Sequence, residues 1–374
     1  MGTNFFPVLM RSAALVRINQ VLLLAVLSVV VLYYGRLFLV PLAFAAILAM
    51  LLAPVARRLE GWGLGRVSST LGCLLLLLAF VGGVVWIVGE QATTISGQLP
   101  QIQQKLQQVL GQGQQWIQQR FGVAPERQVH VVQEQIGKIS QSANRYLTSS
   151  LRGLSALVGG FVLVLLYLFF LLWGRRKFRG FLLALAPAEQ RGEADQMLTE
   201  MRRVAAQYLS GRLLSILFLA VIYAIGFSFI GLKNALGISL LAALPTLVPY
   251  VGAFIGASFP LTLALVGGAS DQVLPVAGII VVAQVLDNNL IEPLVMGSQL
   301  NLSPIFTIVA VVAGELLWGI PGMILFEPML AILRIGCSHV PALRPYALLL
   351  ENEVSKPRWI TKLTRWLKRD RSAT

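Results

Sequence analysis

Long apolar stretches alternate with short polar connections along most of the chain, and the stretches have the length of membrane-crossing helices. A helix needs about 20 apolar residues to cross the hydrocarbon core of a bilayer. Five stretches of about this length precede residue 231, at 18–34, 37–55, 67–88, 154–173 and 213–230. The pattern therefore predicts an all-α, polytopic helical membrane protein.

Residues 90–150 interrupt this pattern because they are rich in glutamine and contain no spanning stretch. Apolar residues recur there at helical spacing, which is typical of amphipathic helices. We expect an extramembrane insert on the side of the membrane opposite the N-terminus. Its role is either in subunit contact and gating or only that of an intramolecular helical hairpin.

The apolar stretches of the C-terminal half are overlong and interrupted. Residues 235–266 would form a straight helix of about 48 Å, but they contain Pro245, Pro249 and Gly252. Residues 305–335 are interrupted around Pro321. Each stretch is either one broken span or a re-entrant hairpin, and the central prolines favour hairpins. Interruptions of this kind in paired segments indicate a transporter binding site.

A polar stretch at residues 284–304 lies inside this apolar half. It contains Asp287, Asn288, Asn289 and Glu292, and Pro293 follows directly. A residue before proline is disfavoured in helical geometry, so we expect the helix to break here. Broken helices at membrane depth occur only where protein or a water-filled cavity surrounds them. The stretch is thus either a polar site or the polar end of a span.

Carboxylates in apolar segments are the main candidates for chemistry. A charge at the bilayer centre costs roughly 2.5–3.5 kcal/mol on insertion scales, so such groups face a cavity or a partner. We expect Asp287 and Glu292 to couple a proton or sodium ion to solute movement. Glu315 is a further candidate, with a helix–helix hydrogen bond as the alternative. Glu327 is also a possible proton or cation site, but its position seven residues before Arg334 favours the alternative that it is hydrated or paired.

Composition supports a membrane location and explains the charge. The chain of 374 residues is 56% hydrophobic and 12% charged, with a net charge of +14. Basic residues concentrate in cytoplasmic loops of membrane proteins, so this charge does not require a nucleic-acid partner. Both termini are predicted to be cytoplasmic. Residues 357–369 alternate basic with Trp, Ile and Leu residues, which predicts a tail helix that binds anionic lipid.

Motifs for enzymatic chemistry are absent from the sequence. It contains no phosphate-binding G-x-x-x-x-G-K-[ST] loop, no H-E-x-x-H and no G-x-S-x-G motif. We therefore expect no enzyme activity, no cofactor and no metal site.

Four segments carry a resemblance to a known family. They read YLSGRLLSILFLAVIYAIGFSFIGL, ALPTLVPYVGAFIGASFP, DNNLIEPLVMGSQLNLSP and GELLWGIPGMILFEPMLAIL. Together they resemble the autoinducer-2 exporter family of membrane transporters, specifically between residues 208 and 335. The resemblance implies about eight membrane segments, with autoinducer-2 export in some members and sodium/proton exchange in others. The matching positions are Pro249, Gly252, Asp287, Asn289, Pro293, Gly297, Pro304, Gly319, Gly322 and Pro328, whereas Glu315 and Glu327 depart from the pattern.

Together these features predict a secondary transporter of the bacterial inner membrane that exports a small polar solute and forms a homo-oligomer. A sodium/proton antiporter, an oligomeric channel and a non-transporting scaffold are the alternatives. The predicted regions are N-terminal spans (1–89), the insert (90–150), a fourth span (151–174), a cytoplasmic interfacial segment (175–211), a transport core (212–336) and a basic tail (337–374).

Overall fold

The computed structural model describes residues 6–90, 159–266, 270–295 and 300–352, together with Gly111. These residues form α-helices, short 3₁₀ turns and one π-helical turn, without a β-strand. The prediction of an all-α fold is confirmed. The predicted glutamine-rich insert, apart from Gly111, and the predicted tail helix lie outside the described residues.

Thirteen α-helices occur in the described part of the chain. In order they are α1 (Phe6–Tyr34), α2 (Arg36–Gly61), α3 (Arg66–Glu90), α4 (Gly159–Trp173), α5 (Arg175–Ala184), α6 (Arg191–Phe229), α7 (Ala235–Ala243), α8 (Val251–Val266), α9 (Ser270–Leu286), α10 (Glu292–Val295), α11 (Pro304–Trp318), α12 (Ile320–His339) and α13 (Arg344–Leu350).

The described residues contain fewer candidate spans than the resemblance implies. Within the described residues five helices are long and apolar enough to cross a membrane, or six if α4 and α5, bent by 69°, count as one span. Four shorter apolar helices accompany them. The predicted number of about eight membrane segments is therefore not confirmed.

The N-terminal helices pack around their own apolar core. Ala45 and Leu52 of α2 meet Cys73 of α3 and Leu168 of α4, and all four side chains are buried. An ion pair between Glu60 and Arg175 joins the end of α2 to the start of α5. These contacts hold α2, α3 and α4 together beside the C-terminal half.

Helix α6 corrects one sequence-based expectation. The interfacial segment (175–211) and the span at 213–230 were expected to be separate, but α6 runs unbroken for 39 residues, about 58 Å. Gly211 lies inside it and is buried. A helical glycine costs only about 1 kcal/mol relative to alanine, which packing along the buried face offsets. The predicted boundary between residues 211 and 212 thus falls within one helix.

The segment 235–266 folds back on itself. Helix α7 continues into a 3₁₀ turn at Leu244–Leu247, and α8 returns along it. A side chain on Gly252 would collide with the carbonyl of Pro245, and one on Gly256 with the carbonyl of Ala242. Later residues of α8 thus contact earlier residues of α7, which defines an antiparallel hairpin. This is the hairpin alternative that the central prolines favoured.

The segment 305–335 forms a second hairpin from α11 and α12. The chain turns at Gly319, whose φ of 65° and ψ of −145° are accessible essentially only to glycine. The backbones of Gly314 and Gly322 face each other so closely that a Cβ on either would meet the other's carbonyl. Small residues allow this close approach of helices in membranes.

We predict that Gly314→Ala destabilises the protein, because the added methyl group collides with the backbone of α12. Overpacking of this kind costs about 1–3 kcal/mol. Thermal unfolding of the purified protein measures the loss. Gly278→Ala is the matched control, since a Cβ on this α9 residue meets nothing within 4 Å. Equal melting temperatures for the two variants would contradict the packing of the second hairpin.

Candidate functional site

A polar cavity of about 560 Å³ lies where the elements of the C-terminal half meet. Helices α6, α8, α9, α10, α11 and α12 contribute to it. So do the turn of the first hairpin, between α7 and α8, and the turn that follows α9. The charged and polar lining residues are Arg212, Thr246, Tyr250, Gln284, Asp287, Asn288, Asn289, Glu292, Thr307 and Glu327. The cavity therefore gathers four residues predicted from the polar stretch and several that were not.

A π-helical turn at Asp287–Ile291 explains how Asp287 and Glu292 share this cavity. In an ideal α-helix residues five apart lie roughly 140° apart around the axis. Here the N–H of Glu292 bonds to the carbonyl of Asp287, the i→i+5 bond of a π-helix. The wider turn carries Glu292 back toward the face of Asp287.

The predicted break at this position is wrong. Glu292 has helical φ and ψ of −55° and −48° despite the following Pro293, and residues Gln272–Val295 form one continuous helical segment. Proline removes an N–H donor and crowds the carbonyl four residues earlier. A π-bulge is one of the ways in which a helix absorbs such a disturbance without ending.

Asp287 is buried and has a partner on α6. Only 4% of its surface is exposed, and the hydroxyl of Ser215 lies 2.6 and 2.7 Å from its two carboxylate oxygens. Buried polar groups are costly unless they are hydrogen-bonded. The serine hydroxyl thus satisfies part of the carboxylate's hydrogen-bonding capacity and ties the π-turn to α6.

Glu327 also lies in the cavity, contrary to the expectation that it is hydrated or paired with Arg334. Glu327 is buried, and its Oε2 accepts a hydrogen bond of 3.2 Å from the Tyr208 hydroxyl of α6. Arg334 instead pairs with Glu351 at 2.8 Å. Arg334 was the expected partner because it lies two turns away on the same helix. The actual partner, Tyr208, is on α6 and is far away in the sequence.

Arg212 is the residue that sequence reasoning missed. Its side chain lines the cavity, is 9% exposed, and attracts the carboxylates of Asp287, Glu292 and Glu327 electrostatically. The signal was present: Tyr208, Arg212 and Ser215 recur at helical spacing, which places them on one face. This shared face was not recognised because the interfacial segment was predicted to end at residue 211, which separated Tyr208 from Arg212 and Ser215.

Further polar contacts surround the cavity. Gln284 of α9 donates a hydrogen bond of 3.1 Å to the hydroxyl of the buried Tyr223 of α6. At the turn of the first hairpin, Tyr250 has a φ of 61°, which is an outlier for a bulky residue. Strained residues of this kind cluster at binding sites and switch regions, so the strained turn is consistent with a site at this cavity.

The remaining predicted residues are divided between this cavity and other places. Pro249 lines the cavity, while Pro245 and Gly252 form the close contact within the first hairpin. Glu315 is exposed on α11 and does not line the cavity. Pro321 lies in the first turn of α12 and lines a different cavity. Pro293 follows the π-turn in α10, and Gly297 lies outside the described residues.

A second, larger cavity of about 850 Å³ is lined by α2, α3 and α4 together with α6 and α12. Its lining is almost wholly apolar, for example Phe44, Leu48 and Leu325, with Arg36 at its edge. Such a surface offers few groups to orient a polar solute or an ion. The candidate site is therefore the smaller polar cavity.

The cavity lining includes three carboxylates and one guanidinium. Within the described ranges no group of three or more His, Cys, Asp or Glu side chains is arranged to hold a metal ion. Asp287, Glu292 and Glu327 outnumber Arg212, so the site carries an excess of negative charge when all four groups are ionised. The arrangement suits the binding of a cation or a proton at separate positions.

Comparison with known proteins assigns the chain to a family. The model of the AI-2E family of transporters matches residues 22–340, which include all of the cavity residues. The chain therefore belongs to the AI-2E transporter family, and the resemblance noted in the sequence is confirmed. Because it belongs to a transporter family and its described residues include five helices long and apolar enough to cross a membrane, it is a multi-pass membrane protein.

Similar proteins occur in Bacillus subtilis and Escherichia coli. YueF of Bacillus subtilis is 27% identical over 310 residues, covering 79% of this chain and 82% of YueF. YrrI of the same organism is 25% identical, covering 82% and 87%, and PerM of Escherichia coli is 27% identical, covering 83% and 91%. Their names propose transport or permease functions for those proteins and specify no solute. Family and relatives together indicate membrane transport.

We predict that Ser215→Ala lowers stability, because the buried Asp287 carboxylate loses its hydroxyl donor. Leaving a buried polar group without its partner costs about 1–3 kcal/mol, which thermal unfolding detects. Ser258→Ala is the matched control, since its exposed hydroxyl bonds only to the carbonyl of Ile255 within α8. The assignment is contradicted if the Ser215 variant is as stable as the Ser258 variant.

Proposed function

We propose that this protein is a secondary transporter of the bacterial inner membrane that exports a small polar solute at the expense of an ion gradient. The observation that carries the proposal is the polar cavity, whose lining includes Asp287, Glu292, Glu327 and Arg212, in the mainly apolar C-terminal half. Ionisable groups within membrane segments mark solute and ion pathways. Solute movement through this cavity is the central step.

The carboxylates supply the coupling in this proposal. A carboxylate at membrane depth is costly while it is charged and unpaired. Binding of a proton or sodium ion neutralises the charge and thereby lowers the free energy of the conformational change that opens the cavity to the other side. Glu292 is the first choice for the coupling group, because no hydrogen bond or ion pair within the described residues engages its carboxylate. Asp287 and Glu327 already have hydroxyl donors.

The solute is proposed to resemble autoinducer-2-type signals, which are small and polar. This part rests on the family resemblance and on the polar lining. Flux of candidate solutes in proteoliposomes under imposed proton and sodium gradients identifies both the solute and the coupling ion.

A sodium/proton antiporter is the second candidate function. The excess of carboxylates over cationic groups in the cavity favours it. An antiporter exchanges the two cations without added solute, whereas a solute exporter moves cations only when solute is present. A channel would show unsaturable conductance, and a scaffold would depend on the insert rather than on the cavity carboxylates.

Several expectations about partners accompany the proposal. We propose that both termini face the cytoplasm, that residues 357–369 bind anionic lipid, and that the protein works as a homo-oligomer. Binding of a peptide of residues 357–369 to vesicles with and without anionic lipid tests the second of these.

We predict that Glu292→Gln and Glu327→Gln each reduce gradient-driven transport at least about tenfold. The amide keeps the size and much of the hydrogen bonding but removes the charge that a coupling ion neutralises. Transport is measured in proteoliposomes with a solute found in the panel. Glu315→Gln is the matched control, because Glu315 is exposed on α11 outside the cavity, and it should retain wild-type transport.

The controls for this experiment are normal membrane insertion and an unchanged elution volume in detergent. If both cavity variants pass these controls and transport with wild-type dependence on the gradient, the carboxylates are not the coupling groups. If the Glu315 variant alone is impaired, the site lies on the outer face of α11 instead.

A further inference from the structure

The guanidinium of Arg212 has unused hydrogen-bonding capacity. The residue is 9% exposed, and its Nε is buried without an acceptor. Among the described residues no carboxylate comes within 4.0 Å of it to form an ion pair. A buried charge is expensive unless it is paired and hydrogen-bonded, so this arrangement requires an explanation.

The simplest explanation is that Arg212 only neutralises the surrounding carboxylates. Two observations weigh against it. Asp287 accepts a hydrogen bond from Ser215, and Glu327 accepts one from Tyr208. Neutral hydroxyls therefore stabilise these two carboxylates in place of a direct ion pair with Arg212. The charge of Arg212 is thereby left without a carboxylate partner among the described residues, while the side chain lines the cavity.

The chemistry of the guanidinium limits what that partner is. Its planar set of five donors matches the two oxygens of a carboxylate-like anion, which it binds in a bidentate manner. Glu292 lies in the same lining, and in the described part of the chain no hydrogen bond or ion pair within 4.0 Å occupies it. The cavity thus offers one open donor group and one open acceptor group.

We infer that the transported solute is a small zwitterion, whose oxyanion binds Arg212 and whose cationic group binds Glu292. The inference rests on the proposed transport function, and it assigns a zwitterion in place of the autoinducer-2-like solute. A plain anion would add negative charge to a cavity that already has more carboxylates than cationic groups, whereas a zwitterion adds none. A neutral polyol would leave the guanidinium of Arg212 without a charged partner.

Four probes of nearly equal size separate these classes: L-alanine as zwitterion, lactate as anion, 1-amino-2-propanol as cation and 1,2-propanediol as neutral compound. Each is added to the full-length protein in detergent, and the ligand-dependent rise in melting temperature gives its affinity. We expect L-alanine to stabilise the wild-type protein more than the other three probes.

The variant Arg212→Lys distinguishes an oxyanion anchor from a simple counter-charge, because lysine keeps the charge but loses the bidentate fork. It should weaken L-alanine binding about tenfold or more, and Arg212→Gln should weaken it further. Arg344→Lys is the matched control on an exposed position of α13 and should bind L-alanine like the wild type.

Three results overturn the inference: no stabilisation by L-alanine, equal or greater stabilisation by the diol, the amine or lactate, or unchanged L-alanine affinity in Arg212→Lys. Transport assays distinguish this failure from failure of the proposed function. If Glu292→Gln abolishes gradient-driven flux of some other solute, the transporter proposal stands without the zwitterion. If L-alanine binds through Arg212 but no flux of any solute is found, the transporter proposal fails.

Discussion

The C-terminal half of this protein is built around a buried carboxylate. Asp287 directly follows the mostly apolar helix α9, where an unpaired charge would be costly, and Ser215 of α6 supplies its hydrogen bond. That contact fixes α9 against α6. The same face of α6 provides Tyr208 for Glu327 and Tyr223 for Gln284, so one long helix satisfies polar groups of two others.

The two helical hairpins complete the enclosure. Close backbone contact at Gly252 and at Gly314 allows each hairpin to pack tightly, which brings the strained turn at Tyr250 and the start of α11 to the cavity. The π-turn then widens α9 where the hairpins meet it. Polar groups from separate parts of the chain thereby line a single cavity, which is what a transported solute requires.

The sequence predicted the polar stretch but not all of the site. Asp287 and Glu292 were found because carboxylates in apolar segments are costly and therefore informative. The π-turn was missed because a proline was expected to end the helix, and local preferences do not distinguish a bulge from a break. Glu327 and Arg212 were misjudged because their environment depends on packing between α6 and α12, which the spacing of residues within each helix does not reveal.

The central claim is that the π-turn faces a water-accessible cavity at membrane depth. Cysteine accessibility tests it most directly, because Asn288 lines the cavity whereas Val282, on the same α9 segment, is exposed outside it. Native membranes carrying Asn288→Cys or Val282→Cys are treated with a charged, water-soluble thiol reagent, and Cys73 and Cys337 are both buried. The account predicts rapid labelling of the Asn288 variant and little labelling of the Val282 variant. Equal labelling of the two, or labelling of the Asn288 variant only after denaturation, would contradict it.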